Sequence, residues 1–257
     1  MKTQSSFRKC GFTLIETVIA IGVLAVLLTG FIIVFAPAAA GIKNSVNLQA
    51  ADRLASTLEQ ELVTLRKGQK DDDDKEFATG FDKAFDWIKK SKGGSADDAL
   101  LVYQYRGLIK DKDGNYVPPR SDGTLKPTSN MDDLISGEHY VVQSMVRQNS
   151  DKASFEQDLA AIEGGVYLVK CTQFVFDQNG GLVAGTAGEI NNPKPDSVPP
   201  NPGPFVKAAE YPEAVIAFSA EFFSVPQRTE AQFNATFGTT YTNAKKPVFT
   251  RNLAVRR

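Results

Sequence analysis

The sequence predicts an α+β protein in which a long amino-terminal helix packs on an antiparallel β-sheet. Three observations predict this fold. Residues 12–36 form one apolar run, residues 46–65 repeat apolar side chains at helical spacing, and the segments after residue 100 are rich in Val, Tyr and Phe. The 257-residue chain carries 29 basic and 30 acidic residues, so its near-neutral charge gives no general attraction to nucleic acid. Its average composition excludes collagen-like, coiled-coil and wholly disordered chains.

The apolar run has the length of a membrane span. It contains one ionisable residue, Glu16, and as a helix it would be about 37 Å long, enough to cross about 30 Å of hydrocarbon. Lys2, Arg8 and Lys9 precede it without an acidic residue. This charge bias favours a cytoplasmic amino terminus, with the rest of the chain on the outer side of the membrane.

Two general explanations of the apolar run stay open. A secretory signal peptide would be cut in the small-residue stretch at residues 36–40, although the apolar core of a signal peptide normally has about 7–15 residues. A plain signal anchor for an unrelated outer domain is the other explanation.

The residues at the start of the run form a more specific pattern. The segment Arg8-Lys9-Cys10-Gly11-Phe12-Thr13-Leu14-Ile15-Glu16 resembles the prepilin processing site of type IV pilins and type II secretion pseudopilins. This resemblance implies that a membrane-embedded prepilin peptidase cleaves between Gly11 and Phe12, and that Phe12 is then N-methylated. It also implies that the Glu16 carboxylate pairs with the Phe12 amine of a neighbouring subunit during assembly. A carboxylate inside an apolar span is costly, and for that reason usually functional.

One feature departs from that family. Many members carry a proline near the middle of the span, whereas the first proline here is Pro37, at its outer edge. The resemblance therefore leaves open whether the span has a kink of the kind found in the family.

The resemblance and the composition divide the chain into four parts. These are a leader at 1–11, the transmembrane half of the helix at 12–36, an amphipathic spine half at 37–68, and a β-rich periplasmic globular domain at 69–257. Gly68 predicts the end of the helix. The apolar stripe that predicts the spine consists of Val46, Ala50, Leu54, Leu58, Leu62 and Leu65.

The outer region begins with an acidic run at residues 71–75, which we expect in a solvated loop because carboxylates oppose the dipole at the carboxyl end of a helix. A short second helix follows at 77–90. The turn pairs Asp113-Gly114 and Asn179-Gly180 predict hairpins, and the proline-rich residues 191–204 predict an exposed loop. The predicted strands are residues 100–105, 140–147, 166–176, 214–225 and 248–255.

The sequence predicts no catalytic residue, metal site or cofactor. It contains neither a phosphate-binding loop motif nor a nucleophile elbow. We expect the single histidine, His139, at the surface or at a strand edge, and Cys171 as a buried inert thiol. The segment at residues 111–115 has its glycine at the wrong position for an EF-hand, so a hairpin turn is expected there rather than a calcium loop.

The resemblance implies a structural subunit of a type II secretion pseudopilus. Its mature chain would have 246 residues (257 minus 11), and so large an outer domain favours a minor or tip position. The implied partners are the prepilin peptidase, other pilin or pseudopilin subunits, and an inner-membrane assembly platform with its ATPase. The protein would cross the bacterial inner membrane once and enter a periplasmic filament. Two alternatives remain: a type IV pilus or competence pilin whose outer domain binds a ligand or DNA, and a signal-anchored membrane enzyme.

Overall fold

The computed structural model describes residues 13–71, 73–92, 100–148, 152–194, 204–225 and 246–257. The chain divides into two compact units, Met1–Ala50 and Ala51–Arg257. The described part is an amino-terminal apolar helix followed by an antiparallel β-sheet with a few further helices, which confirms the predicted α+β, pilin-like architecture.

Helix α1 extends over Leu14–Val63 and continues through Pro37. Its end at Val63 shows that the prediction of a helix end at Gly68 is wrong. A lysine caps this end: the Lys83 ammonium donates to the carbonyl oxygens of Glu61, at 2.6 Å, and of Thr64, at 2.5 Å. Carbonyls at a helix end need such a donor because no further turn of helix satisfies them.

Helix α2 covers Gly80–Lys90 and begins with a reciprocal capping box between Thr79 and Asp82. The Thr79 hydroxyl accepts from the Asp82 N–H at 3.1 Å, and the Asp82 carboxylate accepts from the Thr79 N–H at 3.0 Å. The sequence pattern Thr-x-x-Asp thus fixes the start of the helix, three residues after the predicted start at 77.

Within the described residues, seven strands form one sheet, and all pairings between these strands are antiparallel. Neighbouring strands lie in the order β3-β1-β4-β6-β7, while β2 pairs with the end of β1 and β5 with the end of β4. The strands are β1 (Leu100–Leu108), β2 (Lys126–Pro127), β3 (Tyr140–Gln148), β4 (Ile162–Phe176), β5 (Leu182–Ala184), β6 (Val215–Val225) and β7 (Phe249–Arg256).

The first face of the sheet packs against α2 and against the end of α1 that belongs to the second unit. Leu58 and Leu62 of α1 are fully buried there, and burying a leucine contributes about 1.5–3 kcal/mol to stability. They share this core with α2 and with alternate residues of the central strands. Leu65 lies beyond the helix end and is 46% exposed, so its place in the predicted stripe is wrong. The side chains of Val46 and Ala50 lie outside the described residues.

The second face of the sheet carries a separate core with a polar centre. Asp158 of helix α3 (Lys152–Leu159) is completely buried. Its carboxylate accepts from the Tyr103 hydroxyl at 2.5 Å, from Arg120 Nη2 at 2.7 Å and from Arg147 Nε at 3.1 Å. The apolar side chains around this cluster belong to the second core and include Leu101, Met145, Phe155, Leu168 and Phe223.

Three turns of the outer region have the same construction. In each, an aspartate carboxylate accepts two backbone N–H groups, two and four residues further along the chain; the aspartates are Asp71, Asp111 and Asp177. The residue three positions after the aspartate has a positive φ, which is 61° at Asp74 and 76° at Gly180. The described residues of 71–75 therefore lie in a loop, as expected, and the segment at 111–115 is a hairpin turn, as predicted.

The predicted strands match β1, β3, β4, β6 and β7 within a few residues at each end. Helix α3 and strand β2 were not predicted. α3 is eight residues long and shows little helical periodicity, and β2 has two residues. Most of the proline-rich segment predicted as a loop, residues 195–203, lies outside the described residues.

Candidate amino-terminal processing and assembly site

The start of α1 is a local hydrogen-bonded loop around Glu16. The Glu16 carboxylate oxygen Oε2 accepts from the Thr13 backbone N–H at 2.9 Å and from the Thr13 hydroxyl at 2.9 Å. In return, the Glu16 N–H donates to the Thr13 hydroxyl oxygen at 3.3 Å. This is the geometry of a capping box, so Glu16 stabilises the beginning of its own helix.

The helix that follows this capped start is apolar and exposed. Residues Leu14–Ile33 have a mean hydropathy of 2.4 and form a candidate membrane span by length and composition. Large side chains such as Leu14 and Val26 are 86% and 73% exposed in the isolated chain. A surface of this kind requires lipid or other apolar helices around it.

The predicted site residues divide between the described and undescribed parts of the chain. Gly11 and Phe12, which carry the predicted cleavage and N-methylation, lie outside the described residues. Glu16 is described, at the position where its carboxylate closes the capped start of α1. The pairing of Glu16 with a Phe12 amine involves a second subunit and stays a prediction.

The residues considered for catalysis or metal binding have ordinary structural roles. His139 is 8% exposed, and its Nδ1 accepts from the Ile135 N–H at 3.2 Å. Of the two positions expected for it, the surface is wrong, whereas its place immediately before the outer strand β3 agrees with a strand edge. Cys171 is fully buried in β4, as predicted, and burial raises the pKa of its thiol to about 12. Within the described residues, no three His, Cys, Asp or Glu side chains are grouped to hold a metal ion.

Sequence reasoning missed the role of Thr13. The signal was present, because Thr13 and Glu16 form a Thr-x-x-Glu pattern directly before an apolar run, which is the sequence form of a capping box. It also missed the burial of Lys83 and Asp158. No sequence pattern marks either residue, since each depends on partners that are distant along the chain.

The comparison with known families agrees with the sequence motif. Residues 6–32 match the family described as the prokaryotic N-terminal methylation motif. No curated protein matches the chain. No solved structure matches it either. The motif implies processing by a prepilin peptidase and assembly with other pilin subunits, and the exposed apolar helix fits a membrane anchor. The methylation motif at residues 6–32 and the α+β architecture together support a type IV pilin-like protein.

Proposed function

We propose that the chain is a structural subunit of a type II secretion pseudopilus, in a minor or tip position. The observation that carries the proposal is the match of residues 6–32 to the methylation motif, which includes nearly all of the apolar helix of spanning length, Leu14–Ile33. The outer region is large for a repeating subunit, because a bulky domain crowds a helical lattice; this favours a position at the end of the filament.

In this proposal the leader at 1–11 is removed between Gly11 and Phe12, and the new Phe12 amine is N-methylated. Residues 12–36 anchor the subunit in the inner membrane with the amino terminus in the cytoplasm. The spine at 37–68 and the domain at 69–257 then lie in the periplasm. An assembly platform and its ATPase supply the force for incorporation into the filament.

Glu16 is proposed to guide assembly through its carboxylate. The two hydrogen bonds from Thr13 hold that carboxylate at the amino-terminal end of α1. They also satisfy part of its hydrogen-bonding capacity, which lowers the cost of placing it in an apolar region. A positive amine from an adjacent subunit completes the pairing, and in a low-dielectric filament core such a pair is strong.

Mass spectrometry of the amino terminus tests the processing step. We expect a mature chain that begins with N-methylated Phe12 and stays in the membrane fraction. A mature chain that begins near Ala39 or Gly41 would mean an ordinary signal peptide and would overturn the proposal.

Deleting the gene tests the choice of apparatus. Loss of secreted enzymes in the culture medium, with pilus-dependent motility and DNA uptake intact, is expected for a pseudopilin. Loss of pili with intact secretion would contradict the secretion assignment and favour a pilus subunit. Pull-down of other pseudopilins with the tagged full chain checks the result independently.

A further inference from the structure

A cavity of about 620 Å³ lies in the outer region, away from the amino-terminal motif in the sequence. Its walls come from the turn after α1, Trp87 of α2, the loop at residues 120–122, the end of β3 and helix α3. The volume falls within the range of about 300–1,000 Å³ that is typical of small-molecule sites. Five separate segments of the chain therefore converge on a space of ligand size.

Cations dominate the lining of this cavity. Lys67, Lys70, Arg120 and Arg147 line it, and the lining includes one carboxylate, that of Asp122. The other lining groups are mainly serine hydroxyls and glutamine amides, which can donate hydrogen bonds. The chemistry of the wall thus suits an anion with several oxygen atoms and does not suit an apolar molecule.

The two arginines are held in position before any ligand enters. Arg147 donates to Asp158 and also to Asp122, whose carboxylate is 3.2 Å from Nη1. Arg120 donates from Nη2 to Asp158, while its Nη1 is shielded from solvent and has no hydrogen-bond partner among the described residues. A buried donor in that state is costly. Because solvent cannot reach Arg120 Nη1, this nitrogen does not face the open cavity as the side chain lies here.

Two exposed lysines at the rim of the cavity, Lys67 and Lys70, supply the net attraction for an anion. Asp122 and Asp158 balance the charges of Arg120 and Arg147, which leaves Lys67 and Lys70 in excess. Lys70 pairs with Asp74 at 2.9 Å, but the side chain of Asp74 is 86% exposed. An exposed ion pair of this kind is weak, so a bound anion can compete for the Lys70 ammonium.

We propose that this cavity binds a small molecule through a phosphate or carboxylate group. The fixed arginines orient the oxyanion, because planar guanidinium groups match the geometry of both anions. The lysines draw it in from solution. The proposal is independent of filament assembly, since every residue that it uses belongs to the outer region.

The test uses the full chain in detergent micelles at constant ionic strength. Inorganic phosphate and citrate are titrated separately, and binding is followed by calorimetry and by the rise in thermal midpoint. The test variant is Lys67→Gln/Lys70→Gln, which removes two exposed charges from the rim. The matched control is Lys112→Gln/Lys246→Gln, which removes two exposed charges that do not line the cavity.

We expect at least one of the two anions to bind, with an affinity about tenfold lower in the rim variant and unchanged in the control. Binding of phosphate alone would assign a phosphate-bearing ligand, and binding of citrate alone a carboxylate ligand. The proposal is overturned if neither anion binds at 10 mM, or if the rim and control variants weaken binding equally. Circular dichroism of both variants verifies that they are folded.

Discussion

The Lys83 ammonium lies 2.6 Å from the backbone carbonyl oxygen of Glu61, so a side chain of α2 closes the carboxyl end of α1. The same ammonium is 3.0 Å from the Glu61 carboxylate and 4.2 Å from the centre of the Trp87 ring. Its side chain is fully buried. This contact joins two elements that are separated by a turn and an acidic loop in the sequence.

Replacing Lys83 with methionine should destabilise the outer region by about 3 kcal/mol. The change removes a donor from the Glu61 carbonyl of α1 and from the Thr64 carbonyl just beyond it, and it removes one partner of a buried ion pair. Lys89→Met is the control, because Lys89 makes an exposed hydrogen bond to the Val206 carbonyl, and it should shift stability by less than about 0.5 kcal/mol. Chemical denaturation monitored by the Trp87 fluorescence measures both effects.

The Lys83 site should also make stability depend on pH. Burial lowers the pKa of Lys83 from 10.5 to about 8. Between these values the unfolded chain binds more protons than the folded one, so the contribution of this group to stability rises with pH. The free energy of unfolding of the wild type should therefore gain about 2 kcal/mol over Lys83→Met between pH 8 and 9.5.

Cys171 also affects the pH dependence, because its raised pKa lowers stability above pH 9. This effect is the same in the wild type and in Lys83→Met, so it cancels when their stabilities are compared. If the unfolding free energies of the wild type and Lys83→Met instead differ by the same amount from pH 8 to 9.5, Lys83 stays protonated in the folded state. Its contacts with the Glu61 carboxylate and with the carbonyls of Glu61 and Thr64 would then be the reason.

Asp158→Asn should be among the most damaging single substitutions in the second core. The buried carboxylate accepts from Arg120, Arg147 and Tyr103, and its loss leaves two guanidinium groups short of a counter-charge. We expect a loss of about 3–5 kcal/mol in unfolding free energy. Asp132→Asn, the same change at an exposed aspartate, is the matched control. Equal thermal midpoints for the two variants would contradict a stabilising role of the cluster.

Truncation tests whether the end of α1 belongs to the core. A chain that starts near Lys43 keeps Leu54, Leu58 and Leu62 and should be soluble, monomeric and cooperatively folded. A chain that starts near Gln69 lacks them and exposes the facing core, so it should aggregate or unfold without a sharp transition. If the shorter chain melts as sharply as the longer one, the leucines are dispensable for folding.

Glu16→Ala should impair assembly without changing the fold. Expression, insertion, cleavage and the stability of the outer region should stay close to those of the wild type. Cross-linking to partner subunits should fall, because an unpaired amine would enter the apolar filament core, at a cost of about 3–5 kcal/mol when fully buried. Glu16→Asp should be intermediate, since its carboxylate has a shorter reach. Normal assembly of Glu16→Ala would contradict the pairing, and failure of its cleavage would instead assign the residue to peptidase recognition.

Thr13→Val separates the contribution of the Thr13 hydroxyl to assembly from that of the Glu16 charge. It removes the hydroxyl that donates to Glu16 but keeps the backbone N–H bond and the charge. We expect a smaller assembly defect than in Glu16→Ala, with normal insertion. Assembly at the wild-type level would show that the carboxylate needs no positioning by the Thr13 hydroxyl.

The sequence was sufficient to predict elements whose signals are local. The apolar run, the amphipathic end of α1 and the Val- and Tyr-rich strands follow from periodicity within a few residues, and their positions agree with the structure. Gly68 misled the prediction of the helix end because the actual cap, Lys83, comes from another helix. A side-chain cap supplied from nineteen residues beyond Thr64 leaves no signal in the helix sequence itself.

The two sites also differ in whether their signals are local in the sequence. The Thr13–Glu16 capping pattern is contained in four residues and could have been identified from the sequence. The basic cavity could not, because Lys67, Arg120 and Arg147 belong to segments that the sheet topology brings together. Charge summed over the whole chain conceals this cluster, since the acidic residues elsewhere balance it.

The burial of Cys171 has a practical consequence for mapping contacts between subunits. A thiol reacts as its thiolate, and a fully buried group with a pKa of about 12 supplies almost none at neutral pH. If Cys10 leaves with the leader as proposed, a cysteine introduced at one exposed position would be the single reactive thiol of the mature chain. Site-directed labelling could then be carried out without first replacing the native cysteine.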